Sequence, residues 1–219
     1  MGVLLKLSRE VSELIGAIIG DGNIYSAKKK WVEITGNRYE DRHYFQNVLA
    51  RLIKLTLSYN ARIYFRSDAI RLRIFKSTFV DYLKFLGIPS GRGKSLTVLI
   101  PAKIRMDWKL AKSCIRGIYD TDGSLTFDKR PTYARPYPRV VLHVSNFGLM
   151  NQLSDILSDK KFNPKLSYKE SSLYLNGKTQ VKLYLSTIGF SNIKHLNRLK
   201  RYYPEFLPLN SANAPVTQW

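Results

Sequence analysis

Two stretches of this chain read almost as one text. Leu14-Ile15-Gly16-Ala17-Ile18-Ile19-Gly20-Asp21-Gly22 and Ile115-Arg116-Gly117-Ile118-Tyr119-Asp120-Thr121-Asp122-Gly123 each end an apolar helical run in Asp-Gly. Each carries a glycine five residues before that aspartate, and each runs on into strand-like residues, Asn23-Ile24-Tyr25 and Ser124-Leu125-Thr126. A chain that repeats a motif of this kind is constrained to place two equivalent helices and the segments attached to them.

Those segments repeat in order. Ser8 is placed to N-cap the first helix, with Glu10 and Glu13 in its early turns, and Gly22 supplies a stop. A strand from Trp31 to Thr35 sets Val32 and Ile34 against Trp31, Glu33 and Thr35. A helical period from Arg38 to Lys54 precedes two strands, in which Ile63 and Phe65 oppose Arg62, Tyr64 and Arg66, and Ile70, Leu72 and Ile74 oppose Arg71 and Arg73. A helix from Phe79 to Leu86 closes the unit.

After a connecting segment, Asp107 is placed to cap a helix from Trp108 to Thr121, and the order returns. A strand with Leu125 and Phe127 leads through a longer turn to the strand Arg139 to Ser145. A helix from Leu149 to Leu157, strands at Lys165 to Tyr168 and Val181 to Ser186, and a helix from Phe190 to Arg201 complete it. The reading is an internal duplication of about 100 residues, with Ile34-Thr35-Gly36-Asn37 aligned on His143-Val144-Ser145-Asn146. The expected class is α+β: two αββαββα units with antiparallel sheets, over 1–89 and 107–203, joined by 90–106 and followed by an irregular tail, 204–219.

Charge narrows the partner. The chain has 36 Lys and Arg against 16 Asp and Glu, a formal net charge of +20. Self-repulsion on this scale opposes a compact state unless a polyanion is the usual partner, and nucleic acid fits better than a membrane surface or a ribosome. No apolar run approaches the roughly 20 residues that span a bilayer. The N-terminus lacks the basic start and long apolar region of a secretory signal, and Lys6 stands where a myristoylation site wants Ser or Thr. Cys114 is the one cysteine, so no intrachain disulfide or structural zinc cluster forms, and a reducing, intracellular setting is expected.

The motifs themselves carry chemistry. Gly16 and Gly20 stand at i and i+4, as do Gly117 and Thr121, and small residues at that spacing let two helix backbones approach closely. If the helices pair side by side, Asp21 and Asp122 meet at two helix C-termini. That placement is unfavourable, because the carboxylates repel each other and face the negative helix ends. Divalent cations would reverse both penalties, and oxygen-only ligation completed by phosphate and water suits Mg²⁺.

These paired nonapeptides resemble those of the LAGLIDADG homing endonucleases in their single-chain, two-motif form. Motif positions three, eight and nine match as Gly16, Asp21 and Gly22, and again as Gly117, Asp122 and Gly123. The resemblance extends through the order of both halves. It implies a monomeric, site-specific endonuclease that lays saddle-shaped antiparallel sheets along the DNA major groove, cuts both strands at a long site and leaves short 3′ overhangs. It further implies Asp21 and Asp122 as catalytic metal ligands, with Gly20 and Thr121 beside them. Two or three Mg²⁺ ions are expected, with Mn²⁺ or Ca²⁺ able to substitute for binding. The sixth position is Ile19 in one copy and Asp120 in the other. The family often places Gln or Lys at the end of the second strand of each half, where Gly36 and Asn37, and Ser145 and Asn146, stand here, so no basic helper is identified.

The expected DNA-contacting surface of the first half comprises Tyr25, Lys28, Lys29, Lys30, Trp31, Glu33 and Thr35, then Arg62, Tyr64, Arg66, Asp68, Arg71 and Arg73. In the second half it comprises Thr126, Asp128, Lys129, Arg130, Tyr133, Arg135, Tyr137 and Arg139, then Lys165, Lys169, Lys178, Gln180, Lys182 and Tyr184. Some would hold phosphates and others read base edges. The rival reading keeps the scaffold without cleavage, as a DNA-binding protein or an RNA-binding intron maturase. A phosphatase nucleophile motif at Asp120-Thr121-Asp122 would need a buried strand where this run is helical, and an EF-hand would need further acids.

Overall fold

In a computed structural model, which describes residues 5–129, 131–132 and 134–207, the two motif stretches become two helices packed side by side. These are α1 (Arg9–Ile19) and α6 (Trp108–Thr121), which make the most extensive helix contact among the described residues. Both expected N-caps are made: Ser8 Oγ accepts from the Val11 amide at 3.2 Å, and Asp107 Oδ1 accepts from the Lys109 amide at 2.7 Å.

Each helix feeds a four-stranded antiparallel sheet. The first comprises β1 (Gly22–Tyr25), β2 (Trp31–Asn37), β3 (Arg62–Arg66) and β4 (Ala69–Ile74), in the order β1-β2-β4-β3. The second comprises β5 (Gly123–Asp128), β6 (Tyr137–His143), β7 (Pro164–Ser167) and β8 (Ser172–Asn176), in the order β5-β6-β8-β7. The same order in both halves is the duplication made visible. One side of each sheet is apolar and packs into a core shared with the helices, where Val32, Ile34, Leu72, Val140, Leu142 and Leu173 are buried. The other side is polar, as expected of an antiparallel sheet covered on one face.

The remaining helices fill in around this frame. A π-helical turn (Tyr44–Leu49) runs into α2 (Ala50–Leu57), where the sequence reads as one continuous helix, and α3 (Ser77–Phe85) ends the first half. Two short helices, α4 (Lys94–Thr97) and α5 (Ala102–Arg105), occupy the connecting segment. In the second half α7 (Phe147–Ser158) parallels α2 in order, and α8 (Gly177–Thr187) and α9 (Ile193–Tyr202) come after the sheet. A short 3-10 turn, Pro204–Phe206, orders the start of the tail. Among the described residues no helix is long and apolar enough to cross a membrane.

Two sequence expectations are corrected. Val181 to Ser186 is not a strand but the middle of α8, and the fourth strand is Ser172–Asn176. Val181 and Tyr184 are both fully buried at a helical spacing, which outweighs the alternation that a short apolar run shows by chance. The register of the repeat also shifts by one residue. Gly22 pairs with Ile34 and Gly123 pairs with Leu142, so Ile34 is equivalent to Leu142 and not to His143.

Candidate active site

The approach of α1 and α6 is set by glycine. A Cβ on Gly16 would lie 2.0 Å from the Cys114 carbonyl oxygen, and one on Gly117 would lie 2.1 Å from that of Glu13. Thr121 faces Gly20, where a Cβ would meet its hydroxyl at 2.1 Å. Thr121 Oγ1 turns back to donate to the carbonyls of Gly117 and Ile118. Gly22 and Gly123 then let the chain fold sharply from helix to strand, since a side chain at either would strike the backbone of Ile18 or Tyr119.

The outcome of this packing is that Asp21 and Asp122 come together at the joined C-terminal ends of the two helices, close enough to perturb each other's ionisation. Burial first, then the charge of Asp21, pushes the Asp122 carboxyl up to about 8, and burial likewise raises Asp21. Asp21 nevertheless keeps an exposed face and Asp122 is half-buried. The pair is thus a preformed, solvent-facing set of carboxylate oxygens whose full ionisation burial opposes. Hard oxygen donors in this arrangement fit Mg²⁺, Mn²⁺ or Ca²⁺. Among the described residues no cluster of three or more acidic, His or Cys side chains could hold a metal, so the two aspartates would need phosphate, water or backbone oxygens to complete a coordination shell.

Two lysines that the sequence reading missed flank the pair. Lys94 is buried and its Nζ donates to the carbonyls of Ile18, Ile19 and Gly20 at 2.6, 2.7 and 3.3 Å, capping the C-terminus of α1. Burial brings its pKa down to about 8 against the pull of Asp122 and Asp21. Lys194 lies 2.8 Å from Asp41 Oδ1, and its charge also acts on both aspartates. A signal was available: each lysine comes after its motif aspartate at nearly the same interval, one in a Gly-Arg-Gly-Lys connector and the other on a helix that reads as solvent-facing.

Beneath the aspartates a polar network stitches the halves together. Glu13 pairs with Arg116 at 3.4 Å and accepts from the Ser191 hydroxyl at 2.6 Å. Asp120 accepts from the amides of Ser191 and Asn192, and the Asn192 side chain donates to Asp41 at 2.8 Å. Burial raises Glu13 and pushes Asp120 up to about 8, while burial holds His195 down to about 3.

These shifts make stability depend on pH. Asp120 and Asp122 ionise near 8 when folded but near 3.9 when unfolded, so folding binds protons between those values and stability falls as pH rises through them. His195, ionising near 3 when folded, adds stability as pH rises toward its unfolded value of about 6.5 and nothing above it. Lys94, lowered to about 8, has lost half its charge by that pH. It adds stability as pH rises toward its unfolded value of about 10.4, a small offset below pH 8. Metal-free protein is therefore expected to melt several degrees lower at pH 8 than at pH 6.5. Mg²⁺ should recover part of that loss at pH 8. Calorimetry showing a melting temperature that rises across this interval would refute the raised carboxyls.

The polar faces of the sheets carry most of the expected nucleic-acid contacts. Glu33, Arg73 and Arg62 stand opposite one another across β2, β4 and β3, as do Thr35, Arg71 and Tyr64. Trp31 and Tyr25 pack edge to face at 4.6 Å, Arg66 and Asp68 lie at the β3–β4 turn, and Lys28 and Lys29 are exposed. Lys30 is paired with Asp81 at 2.6 Å. In the second half Thr126, Asp128, Tyr137, Arg139 and Lys165 lie on the sheet, with Lys129 and Lys169 exposed in turns. Arg135 is ion-paired with Glu205. Arg130 and Tyr133 lie outside the described residues.

Four expected contacts, Lys178, Gln180, Lys182 and Tyr184, lie on α8 and not on the sheet, the last two because the expected strand Val181 to Ser186 is helical. Tyr184 is fully buried, its ring 5.3 Å from that of Tyr119 and 4.9 Å from that of Phe190, so it belongs to the core. Lys178 and Lys182 lie over the rings of Tyr203 and Phe206, and Gln180 accepts from the Asn163 amide. The strand positions expected for Lys182 and Tyr184 are taken by Tyr174 and Asn176, whose alternation with Leu173 and Leu175 was readable in the sequence.

This architecture is the LAGLIDADG fold: two αββαββ units, each with a four-stranded antiparallel sheet, meeting at paired motif helices. Among solved structures, the chain is similar to the homing endonuclease I-DmoI in complex with DNA and Mn (TM-score 0.57, 17% identity, 84% of this chain and 98% of that one). It is also similar to the homing endonuclease I-WcaI bound to its DNA recognition sequence (TM-score 0.62, 15% identity, 91% and 88%). The N-terminal LAGLIDADG domain of WhiA is similar as well (TM-score 0.55, 18% identity, 86% and 87%). Neither a family model nor a curated relative matches the sequence.

Proposed function

We propose that this chain is a monomeric, site-specific double-strand DNA endonuclease that hydrolyses phosphodiesters with divalent metal held by Asp21 and Asp122. The observation that carries this reading is the close approach of two carboxylates at two packed helix C-termini, an arrangement that burial and mutual repulsion oppose until a cation is supplied. Mg²⁺ bound there would activate water and stabilise the departing oxygen. The carbonyls of Gly20 and Thr121 stand next to the pair, although Lys94 already donates to that of Gly20.

The chain's own groups divide the remaining work. Asp21 is fixed by its backbone, whose carbonyl accepts from the Thr35 amide at 3.3 Å, and Asp122 by its amide, which donates to Ile118 at 2.9 Å. Lys94 and Lys194 place positive charge beside the centre, where it offsets the charge gathered on a phosphate being cut. The two polar sheet faces hold the duplex on either side, with arginine and lysine on phosphates and selected side chains on base edges.

Purified protein with Mg²⁺ should cleave a selected long duplex from a randomised library and leave short 3′ overhangs. Binding without cleavage in either Mg²⁺ or Mn²⁺ would favour the rival, a DNA- or RNA-binding protein on this scaffold. Affinity should fall by about 10³-fold or more between 50 and 200 mM salt if six or more phosphates are neutralised. Fluorescence anisotropy reads this directly, and a flat response would sink the groove model.

A further inference from the structure

We infer that the arm of the target under the first sheet is guanine-rich, and that the arm under the second is not. This deepens the DNA-binding reading above and rests on it, but not on cleavage.

The two sheets can be superposed by register alone. Ile34 opposite Leu72 and Ile63 in the first corresponds to Leu142 opposite Leu173 and Leu166 in the second. Stepping to the neighbouring outward rows, Arg73 corresponds to Tyr174, Arg71 to Ser172 and Arg62 to Lys165. The strands of the first sheet carry four arginines, at 62, 66, 71 and 73, and those of the second carry one, Arg139. A duplication has kept the frame and replaced its guanidinium groups with hydroxyl groups and an amine.

The arginines of the first sheet are also held ready. Glu33, buried at 8% exposure, accepts from Arg73 Nε and lies 4.0 Å from Arg71. The Arg73 guanidinium rests between the rings of Trp31 and Tyr64, 5.3 and 5.1 Å from their centroids. A guanidinium fixed by its Nε edge presents its remaining N–H groups as a fork, and O6 and N7 of guanine form the matching pair of acceptors. Arg71 and Arg73 are two residues apart, about 6.6 Å along the strand, close to two base steps of about 3.4 Å. Two guanines about two base pairs apart therefore suit this row.

The second sheet spends its polar groups differently. The Ser172 hydroxyl is bonded to His143 Nδ1 and to the Glu170 carbonyl, both at 2.7 Å, and the Tyr174 hydroxyl donates to Glu170 at 2.6 Å. Ser172 is fully buried and meets no base, and the Tyr174 hydroxyl, which accepts or donates with any base, imposes no guanine. Arg139, the one guanidinium of these strands, is held much as Arg73 is, by Asp128 at 2.9 Å and over the rings of Tyr137 and Tyr174. This arm can therefore take one guanine where the first sheet's four arginines can take several.

The test is selection by binding in Ca²⁺ from a randomised duplex library, using the full chain and the variants Arg71→Gln and Arg73→Gln. The expected pool has one guanine-rich arm. Each variant should relax the guanine preference about 10-fold or more at one position of that arm, leaving the other arm unchanged. Arms of equal guanine content, relaxation in the guanine-poor arm, or a uniform loss at every position would overturn the inference while leaving DNA binding in place. Failure to enrich any duplex would overturn the DNA-binding reading and this inference with it.

Discussion

Asp21→Asn and Asp122→Asn should each slow duplex cleavage by about 10³-fold or more, the scale of the several kcal/mol that metal-assisted hydrolysis supplies, with affinity for the same duplex preserved. Asparagine keeps the size of the side chain and can still hydrogen-bond its neighbour, so the helix ends should stay as they are. What it removes is one of two negative charges that burial and mutual repulsion already oppose. The same substitutions should therefore raise the melting temperature of metal-free protein at pH 8 and flatten its fall with pH. Loss of activity with a gain in stability is a signature that a misfolded variant cannot give. Single-turnover cleavage beside thermal melts reads both, and wild-type cutting by either variant would end the assignment of the pair as the metal site.

Gly16→Ala and Gly117→Ala are expected to destabilise the protein by about 3 kcal/mol or more, at the upper end for overpacked cores. The sign is informative. In an ordinary helix position, alanine would gain about 1 kcal/mol over glycine. Here the new methyl would meet the main-chain carbonyl of Cys114 or Glu13, which cannot swing aside. Gly20→Ala provides the contrast, since it meets chiefly the rotatable Thr121 hydroxyl and should cost less. Chemical denaturation that ranks Gly20→Ala as the most damaging of the three would show that the helices do not meet as described.

The parts of this architecture legible in the sequence were those governed by local rules. The caps at Ser8 and Asp107, the alternation of Val32 and Ile34, and the Asp-Gly stops all depend on neighbours within a few residues. The convergence of Asp21 and Asp122 was also readable, because two copies of one motif imply one symmetric meeting. Lys94 was not, since its role depends on a connector folding back over the end of α1. Glu13 read as a charge near a helix N-terminus and is instead an interface residue, a placement fixed by Arg116 from the other half. Tyr184 failed for a third reason: a short apolar run fits two periods, and only the partners across the core, Tyr119 and Phe190, decide between them.

The network that joins Glu13 to Arg116 and Ser191, and Asp41 to Asn192 and Lys194, has a consequence for how the duplication can change. Its carboxylates Glu13 and Asp41 come from the first half, and Arg116, Ser191, Asn192 and Lys194 from the second. Where the second motif has Arg116 and Asp120, the first has Ile15 and Ile19. Two copies of the first half would bury two Glu13 carboxylates against isoleucine, and two copies of the second would bury two Arg116 guanidinium groups with no carboxylate opposite. Either leaves uncompensated charge in the interior, at a cost of several kcal/mol. The halves have become a lock and its key, and a half exchanged into another such protein must bring its partner's side of this network with it.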